Sequence, residues 1–220
     1  MAAIRCRGRM PASAEQKQGR RAALRSFKRE AILDAARGVF AAQGLEGATI
    51  RAIAEAAGIA PGTVYLQFES KEAIYAEMLQ ASLADLLKSM REAVDPAAPP
   101  EARLLAGALG FYRFYQRRPE DLHLGLYLAQ GLKPIGLSPQ LDRMLNGRLI
   151  QCFALLGDAI GGLGVTEPEH VRAETVELAT SICGTLLLQA TGRLRMLGDE
   201  GEMVLTRQVG HVVERLRGRR

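Results

Sequence analysis

The stretch GIAPGTVYLQFESK, residues 58–71, carries the residues of this chain best suited to close contact with a polyanion. Proline fits the first turn of a helix, where its missing N–H costs no hydrogen bond, so Pro61 predicts a helix start. Gly62 has no side chain, which would let the N-terminus of that helix press near a phosphate or a base edge. The Pro-Gly pair therefore predicts a short helix presented to another surface.

The faces of this short helix follow from a rotation of about 100° per residue. That rotation predicts an inward face formed by Ala60, Val64 and Phe68. The opposite face has little bulk and consists of Gly62 and Leu66, with Thr63 and Tyr65 on its flanks. Such a face suits close approach to a partner.

The other reactive residue types form no catalytic or metal-binding pattern. The cysteines and histidines are scattered, without CxxC or HExxH spacing, at Cys6, Cys152, Cys183, His123, His170 and His211. The chain also has no GxSxG, phosphate loop or carboxylate pair beside a plausible base. We therefore expect no enzyme, no metal and no cofactor. The cysteine usage, the lack of an apolar leader and the lack of a charge-free run of about 20 residues predict a cytoplasmic protein.

Positive charge is concentrated in the first third of the chain. Residues 1–71 hold 12 Lys/Arg and 6 Asp/Glu, a net charge of +6, whereas the whole chain carries +5. Such asymmetry indicates a polyanionic partner for the N-terminal third, or else a basic tail without such a role.

The elements that must position this stretch are all predicted to be helical, since no run of residues shows the alternation of apolar and polar side chains that is typical of a β-strand. Apolar spacing predicts a helix over 28–43 that ends at Gly44, and Thr49 is a suitable N-cap for a second helix that stops at Gly58. Two short helices joined by a glycine turn are the sequence form of a helix-turn-helix. Further helices are predicted over 71–93, 101–117, 119–130, 139–160 and 202–217, the first of them capped by Ser70. Another helix is predicted to run to residue 197 from a capping box at Thr166 and Glu169, with Pro168 in its first turn.

The predicted organisation is an all-α chain with an N-terminal three-helix domain and a C-terminal helical domain. Residues 1–26 are expected to form a mobile basic arm, with order starting near Phe27, and residues 27–71 the helix-turn-helix domain. Residues 72–220 would form the second domain, with 72–93 as the connecting helix.

Residues 28–75 resemble the DNA-binding domain of the tetracycline-repressor (TetR) family. The matching positions are Ala35, Ala36, Phe40, Gly44, Thr49, Ile50, Arg51, Ile53, Ala54, Gly58, Ile59, Gly62, Thr63, Val64, Tyr65, Phe68 and Lys71. The resemblance covers about a quarter of the chain and implies a DNA-binding transcriptional regulator, most often a repressor. It implies DNA contacts from Thr49, Arg51, Gly62, Thr63, Tyr65, Leu66, Gln67 and Lys71. Of these, Tyr65 and Lys71 would hold phosphates and Thr63 and Leu66 would meet thymine methyl groups.

A single helix-turn-helix usually works as one of a symmetric pair on a palindromic site, which predicts a homodimer on double-stranded DNA. The resemblance implies a four-helix interface from the last two helices of each chain, through Ile182, Leu186, Leu205, Val209 and Val212. The alternative is that these residues form the core of one protomer.

The middle helices are then expected to enclose a ligand chamber for a small apolar or aromatic effector. Its expected lining is Phe111, Tyr112, Tyr115, His123, Tyr127, Met144, Arg148 and Cys152. The alternative is a DNA-binding architectural or protein-partnered regulator without a small-molecule ligand, which a closed chamber would favour.

Overall fold

The computed structural model describes residues 14–125 and 137–218, and their regular structure is helical throughout, as the sequence predicts. The helices are α1 (Ala14–Gly47), α2 (Ile50–Ala56), α3 (Pro61–Tyr65), α4 (Lys71–Ala93), α5 (Pro100–Arg117), α6 (Pro119–Gly125), α7 (Pro139–Gly162), α8 (Pro168–Ala190), α9 (Arg193–Met196) and α10 (Gly201–Arg217). None of these helices is long and apolar enough to cross a bilayer.

Helix α1 is longer than its apolar pattern predicts. It begins at Ala14, which corrects the expectation that order starts near Phe27, while residues 1–13 lie outside the described residues. The added turns, AEQKQGRRAALRSF, are rich in Ala, Glu, Gln, Lys and Arg, which are strong helix formers. At the other end, Gly44 breaks the helical geometry with φ 68°, at the predicted stop.

The helix-turn-helix forms through the local signals that the sequence carries. The Thr49 hydroxyl oxygen accepts the Ala52 N–H at 3.1 Å and caps α2. Gly58 takes φ 66° in the turn, and Pro61 lies in the first turn of α3. Ser70 caps α4 by accepting the Ala73 N–H at 3.2 Å. These four predictions are confirmed.

Helix α4 connects the N-terminal helices to the rest of the molecule. It packs against α1 at one end and against α5 and α7 along its length. Helix α8 packs on α7, and α10 packs on both α5 and α8, so that five helices enclose the larger core. Buried residues of α4 such as Leu86 and Met90 belong to this core, and Ile74 and Tyr75 are buried near the N-terminal end of the same helix.

Two details at the ends of α8 differ from the prediction. The N-cap is Glu167, with no side-chain cap hydrogen bond, so the Thr166–Glu169 capping box is not formed, although Pro168 does lie in the first turn. The helix also ends at Ala190, because Gly192 adopts φ 69° and starts the separate helix α9. A left-handed glycine ends a helix whatever apolar pattern continues beyond it.

Candidate functional site

Helix α3 presents a small exposed face above a buried one. Val64 is fully buried, whereas Tyr65 and Leu66 are 60% and 73% exposed. Phe68 is buried as predicted, Gly62 is exposed, and Thr63 lies between these faces. Ala60 is exposed, which corrects its predicted inward position: it is the extended N-cap residue, so the helical rotation does not apply to it.

The N-terminus of α2 lies at the surface. Thr49 and Arg51 are both exposed. The Thr49 oxygen serves as the helix cap, but a hydroxyl keeps its own O–H free to donate to a second partner. An exposed guanidinium two residues away adds a charged donor to the same surface.

Lys71 makes structural contacts that the sequence did not predict. Its Nζ donates to the carbonyl oxygens of Glu46 and Ala48, at 3.0 and 3.1 Å. These bonds fix the first residue of α4 to the segment between the Gly44 break and α2. An ammonium group has three N–H donors, so one donor remains for a ligand such as a phosphate.

Two arginines of α1 meet the end of α3 at Gln67. Arg25 Nε donates to the Gln67 side-chain oxygen at 3.4 Å, and Arg29 Nη1 donates to the Gln67 carbonyl oxygen at 2.7 Å. Arg29 also forms an ion pair with Glu77 and lies over the Phe68 ring, 4.1 Å from its centroid. The four-residue spacing of Arg25 and Arg29 places both on one face of a helix and is the sequence signal for this contact. The periodicity of apolar residues gives no indication of it.

A cavity of about 1350 Å³ lies in the C-terminal helices. Phe111 and Tyr115 of α5 line it, as predicted, together with Leu79 and Leu83 of α4. Phe111 stacks on Phe153 of α7, with ring centroids 5.5 Å apart. The wall contributed by α8 was not predicted from the sequence and includes Thr175, Ala179, Cys183 and Leu186. The cavity is therefore mostly apolar, with a few polar groups such as Asp158 and Arg172.

Five predicted ligand residues that the structure describes do not line this cavity. Tyr112 packs against α10 at Gly201, and its hydroxyl accepts Gln116 Nε2 at 3.2 Å. His123 and Met144 are exposed, and the buried Cys152 contacts the Leu83 carbonyl instead. Arg148 lines a separate depression of about 390 Å³ with Lys88 and Arg91. Tyr127 lies outside the described residues.

Burial sets the acidity of the groups along the cavity. Desolvation raises the pKa of the Tyr115 hydroxyl far above its usual value and also raises the pKa of the Cys183 thiol. Both groups are neutral at pH 7, and burial extends the neutral form to higher pH, so they act as dipoles rather than charges. Such walls suit a ligand with a long apolar part.

The predicted dimer residues prove to be core residues of a single protomer. Ile182, Leu186, Leu205, Val209 and Val212 are all buried among the chain's own helices, so the prediction of an intersubunit face through them is wrong. The opposite sides of the same helices are exposed. On α8 this side carries Val176, Thr180, Gly184 and Leu187, which also line the cavity, and on α10 it carries Met203, Arg207, Gly210 and Glu214.

Comparisons with known proteins match both parts of the chain. Residues 32–78 match the family described as bacterial regulatory proteins, tetR family. The HTH-type transcriptional repressor KstR2 of Rhodococcus jostii is 42% identical over 82 residues, which span 37% of this chain and only 40% of the length of that relative. The Fatty acid metabolism regulator protein of Bacillus subtilis is 27% identical over 143 residues, 64% of this chain and 72% of that protein.

Solved structures share the fold over most of the chain. A tetR-family regulatory protein from Rhodococcus RHA1 has a TM-score of 0.66 at 17% identity, covering 85% of this chain and 95% of that one. The regulator FadR from Bacillus subtilis, solved in complex with stearoyl-CoA, has a TM-score of 0.62 at 22% identity, covering 85% and 96%.

Proposed function

Because the chain belongs to the TetR family of bacterial regulators, we propose that it binds a palindromic operator as a homodimer and represses transcription until an effector enters its cavity. The observation that carries the DNA-binding part is the exposed, low-bulk face of α3 above the buried Val64. That face is the right size for the major groove, which admits a single helix.

The proposed DNA contacts follow from exposure and donor type. Gly62, Thr63 and Leu66 meet base edges, where Thr63 and Leu66 offer methyl groups to thymine. Tyr65, Gln67, Thr49 and Arg51 donate to phosphates, and Lys71 adds its remaining N–H. The exposure of Tyr65, Leu66, Thr49 and Arg51 supports these roles.

The proposed dimer uses the outward sides of α8 and α10 in place of the buried residues. Gly184, which also lines the cavity, and Gly210 lie on these sides, and a methyl group placed on either glycine would meet no neighbouring atom within 4 Å, so a partner helix can approach closely there. The exposed Val176 and Met203 provide apolar area for a partner to cover.

The proposed effector carries a long acyl chain. A cavity of about 1350 Å³ with largely apolar walls exceeds the usual range of small-molecule sites, roughly 300–1,000 Å³, and favours a large effector over a purely protein-partnered regulator. The stearoyl-CoA in the FadR complex shows that a protein of similar fold holds such a molecule. Neutral Tyr115 and Cys183 are compatible with an apolar chain beside them.

The test begins with selection of bound sequences from random duplexes, which gives the operator and its symmetry. Stearoyl-CoA is then titrated into the complex and DNA release is followed by fluorescence anisotropy. Cys183→Phe places a bulky ring against the acyl chain and should weaken release without weakening DNA binding, whereas Cys183→Ala should keep the response. If stearoyl-CoA and stearic acid both leave DNA affinity unchanged, the acyl effector is excluded.

A further inference from the structure

Between residues 18 and 27, helix α1 has no buried face. Every residue from 18 to 27 is exposed, including the large apolar side chains of Leu24 and Phe27. Residues 18–29 carry five cations and no acidic residue. Since burial does not explain this segment, its charge and its contact with α3 are the features to account for.

The contact with α3 shows which face of α1 carries a row of arginines. Arg25 and Arg29 lie one turn apart and both reach Gln67, at the C-terminal end of α3. One turn further toward the N-terminus, the same face carries Arg21, about 6 Å along the helix axis from Arg25. Arg29 is occupied by Glu77, the Phe68 ring and the Gln67 carbonyl, whereas Arg21 and Arg25 are exposed.

We propose that Arg21 and Arg25 form a second DNA contact, which binds the phosphates beside the groove that α3 enters. This inference rests on the DNA binding proposed above. A helix about 10–12 Å across fills a major groove about 12 Å wide, so the backbone passes directly beside the end of α3. Gln67 lies at that end, and Arg25 is bonded to its side chain. A guanidinium matches a phosphate with two parallel hydrogen bonds, and a helical row of them follows the backbone.

Arg25 and Gln67 then act on the same phosphate. The Gln67 oxygen accepts from Arg25, which orients the guanidinium and leaves the Gln67 amide N–H groups free to donate outward. The contact is independent of base sequence, because it involves only the backbone. It extends the footprint of each protomer beyond the bases read by α3.

The experiment measures salt dependence of operator binding for the full-length protein and the double variant Arg21→Ala/Arg25→Ala. Each lost phosphate contact lowers the slope of log affinity against log salt by about 0.9. A homodimer loses four such contacts, so between 50 and 200 mM salt the wild type should lose on the order of 100-fold more affinity than the variant does. The matched control is Arg193→Ala/Arg195→Ala, which removes two exposed cations from α9 and should keep the wild-type slope.

Two further measurements separate a phosphate contact from a solvated helix. Alanine is a better helix former than arginine, so circular dichroism should show retained helix in the variant. The losses from Arg25→Ala and Gln67→Ala should be less than additive if the two side chains share one phosphate. A wild-type slope in the α1 variant, with intact operator binding, overturns this inference alone. Failure of the wild type to bind any selected duplex overturns it together with the proposed function.

Discussion

Arg37 of α1 and Asp121 of α6 form an ion pair between the N-terminal helices and the wall of the cavity. Arg37 Nη1 lies 3.0 Å from Asp121 Oδ1, and the Asp121 side chain is only 2% exposed while the Arg37 side chain is 39% exposed. Arg118 Nη1 lies 3.5 Å from the other carboxylate oxygen. The residue after Asp121, Leu122, lines the cavity. A ligand that displaces Leu122 would therefore also displace Asp121 and, through the ion pair, Arg37 of α1.

Removing Arg37 should destabilise the fold. Arg37→Ala leaves a buried carboxylate with Arg118 alone, and breaking such a pair costs several kcal/mol when both partners are buried. Because Arg37 is partly exposed, we expect a loss of about 1–2 kcal/mol in the free energy of unfolding by urea. Lys88→Ala, which removes an exposed pair with Glu92, should change it by less than about 0.5 kcal/mol. Equal values for the two variants would contradict a stabilising role for Arg37.

Helix α6 is tied to α4 as well. The buried Tyr75 hydroxyl donates to the Leu124 carbonyl at 2.8 Å. Tyr75→Phe leaves that carbonyl without this donor, and we expect about 1 kcal/mol of lost stability. If α6 transmits occupancy of the cavity to α4, the variant should also need more effector to release DNA. A normal stearoyl-CoA response despite the stability loss would show that this bond is structural only.

The sequence predicted the helix-turn-helix well because its signals are local. Thr49, Gly58, Pro61 and Ser70 act on backbone groups within a few residues, so their effect does not depend on the rest of the fold. Ile182 and Leu186 illustrate the opposite case. An apolar helix face reports that it is buried, but the pattern is the same whether the chain's own core or a second copy covers it.

The residues that line the cavity could not all be predicted either, because the lining depends on how the helices are placed relative to one another. Tyr112 and Tyr115 lie on one helix, yet only Tyr115 reaches the cavity, since Tyr112 packs against α10. The direction of each aromatic residue is set by which neighbours flank α5, and that arrangement is not encoded within α5. The basic residues of α1 were predicted as an arm because helix propensity without an apolar face leaves little periodic signal.

Lys71 and Tyr65 should separate structural from DNA-binding effects. Lys71→Ala removes two bonds to the carbonyls of Glu46 and Ala48, so we expect about 1–2 kcal/mol of lost stability and a salt slope about one unit shallower for each protomer of the dimer. Tyr65→Ala should leave stability nearly unchanged, because the ring is mostly exposed, and weaken operator binding by about 1–2 kcal/mol. Urea unfolding and anisotropy titrations measure the two quantities. Unchanged operator binding in both variants would exclude the proposed docking of α3.

The outward sides of α8 and α10 should control assembly without affecting the protomer fold. Met203→Glu/Gly210→Glu places two carboxylates on the exposed side of α10, and glutamate is a better helix former than glycine. We expect dissociation to monomers by sedimentation, with retained helix content and weaker operator binding. Gln208→Glu, exposed on another side of α10, should remain a dimer. A dimeric double variant would place the interface elsewhere.

Cys152 should make the protein less stable in alkaline solution. Burial raises the pKa of its thiol to about 11, against the opposing effect of Arg91, whereas an unfolded cysteine has a pKa of about 8.5. Between these values the unfolded chain has lost the proton that the folded chain keeps, so the free energy of unfolding falls as pH rises through this window.

The measurement is urea unfolding from pH 8 to 10.5 for the wild type and Cys152→Ala. The variant loses stability at all pH values because it leaves space in the core, so the informative quantity is the slope with pH. We expect the wild type to lose about 1–3 kcal/mol more than the variant across this window. Parallel pH profiles would mean that the Cys152 thiol ionises at its ordinary pKa, and that its surroundings between α4 and α7 admit water.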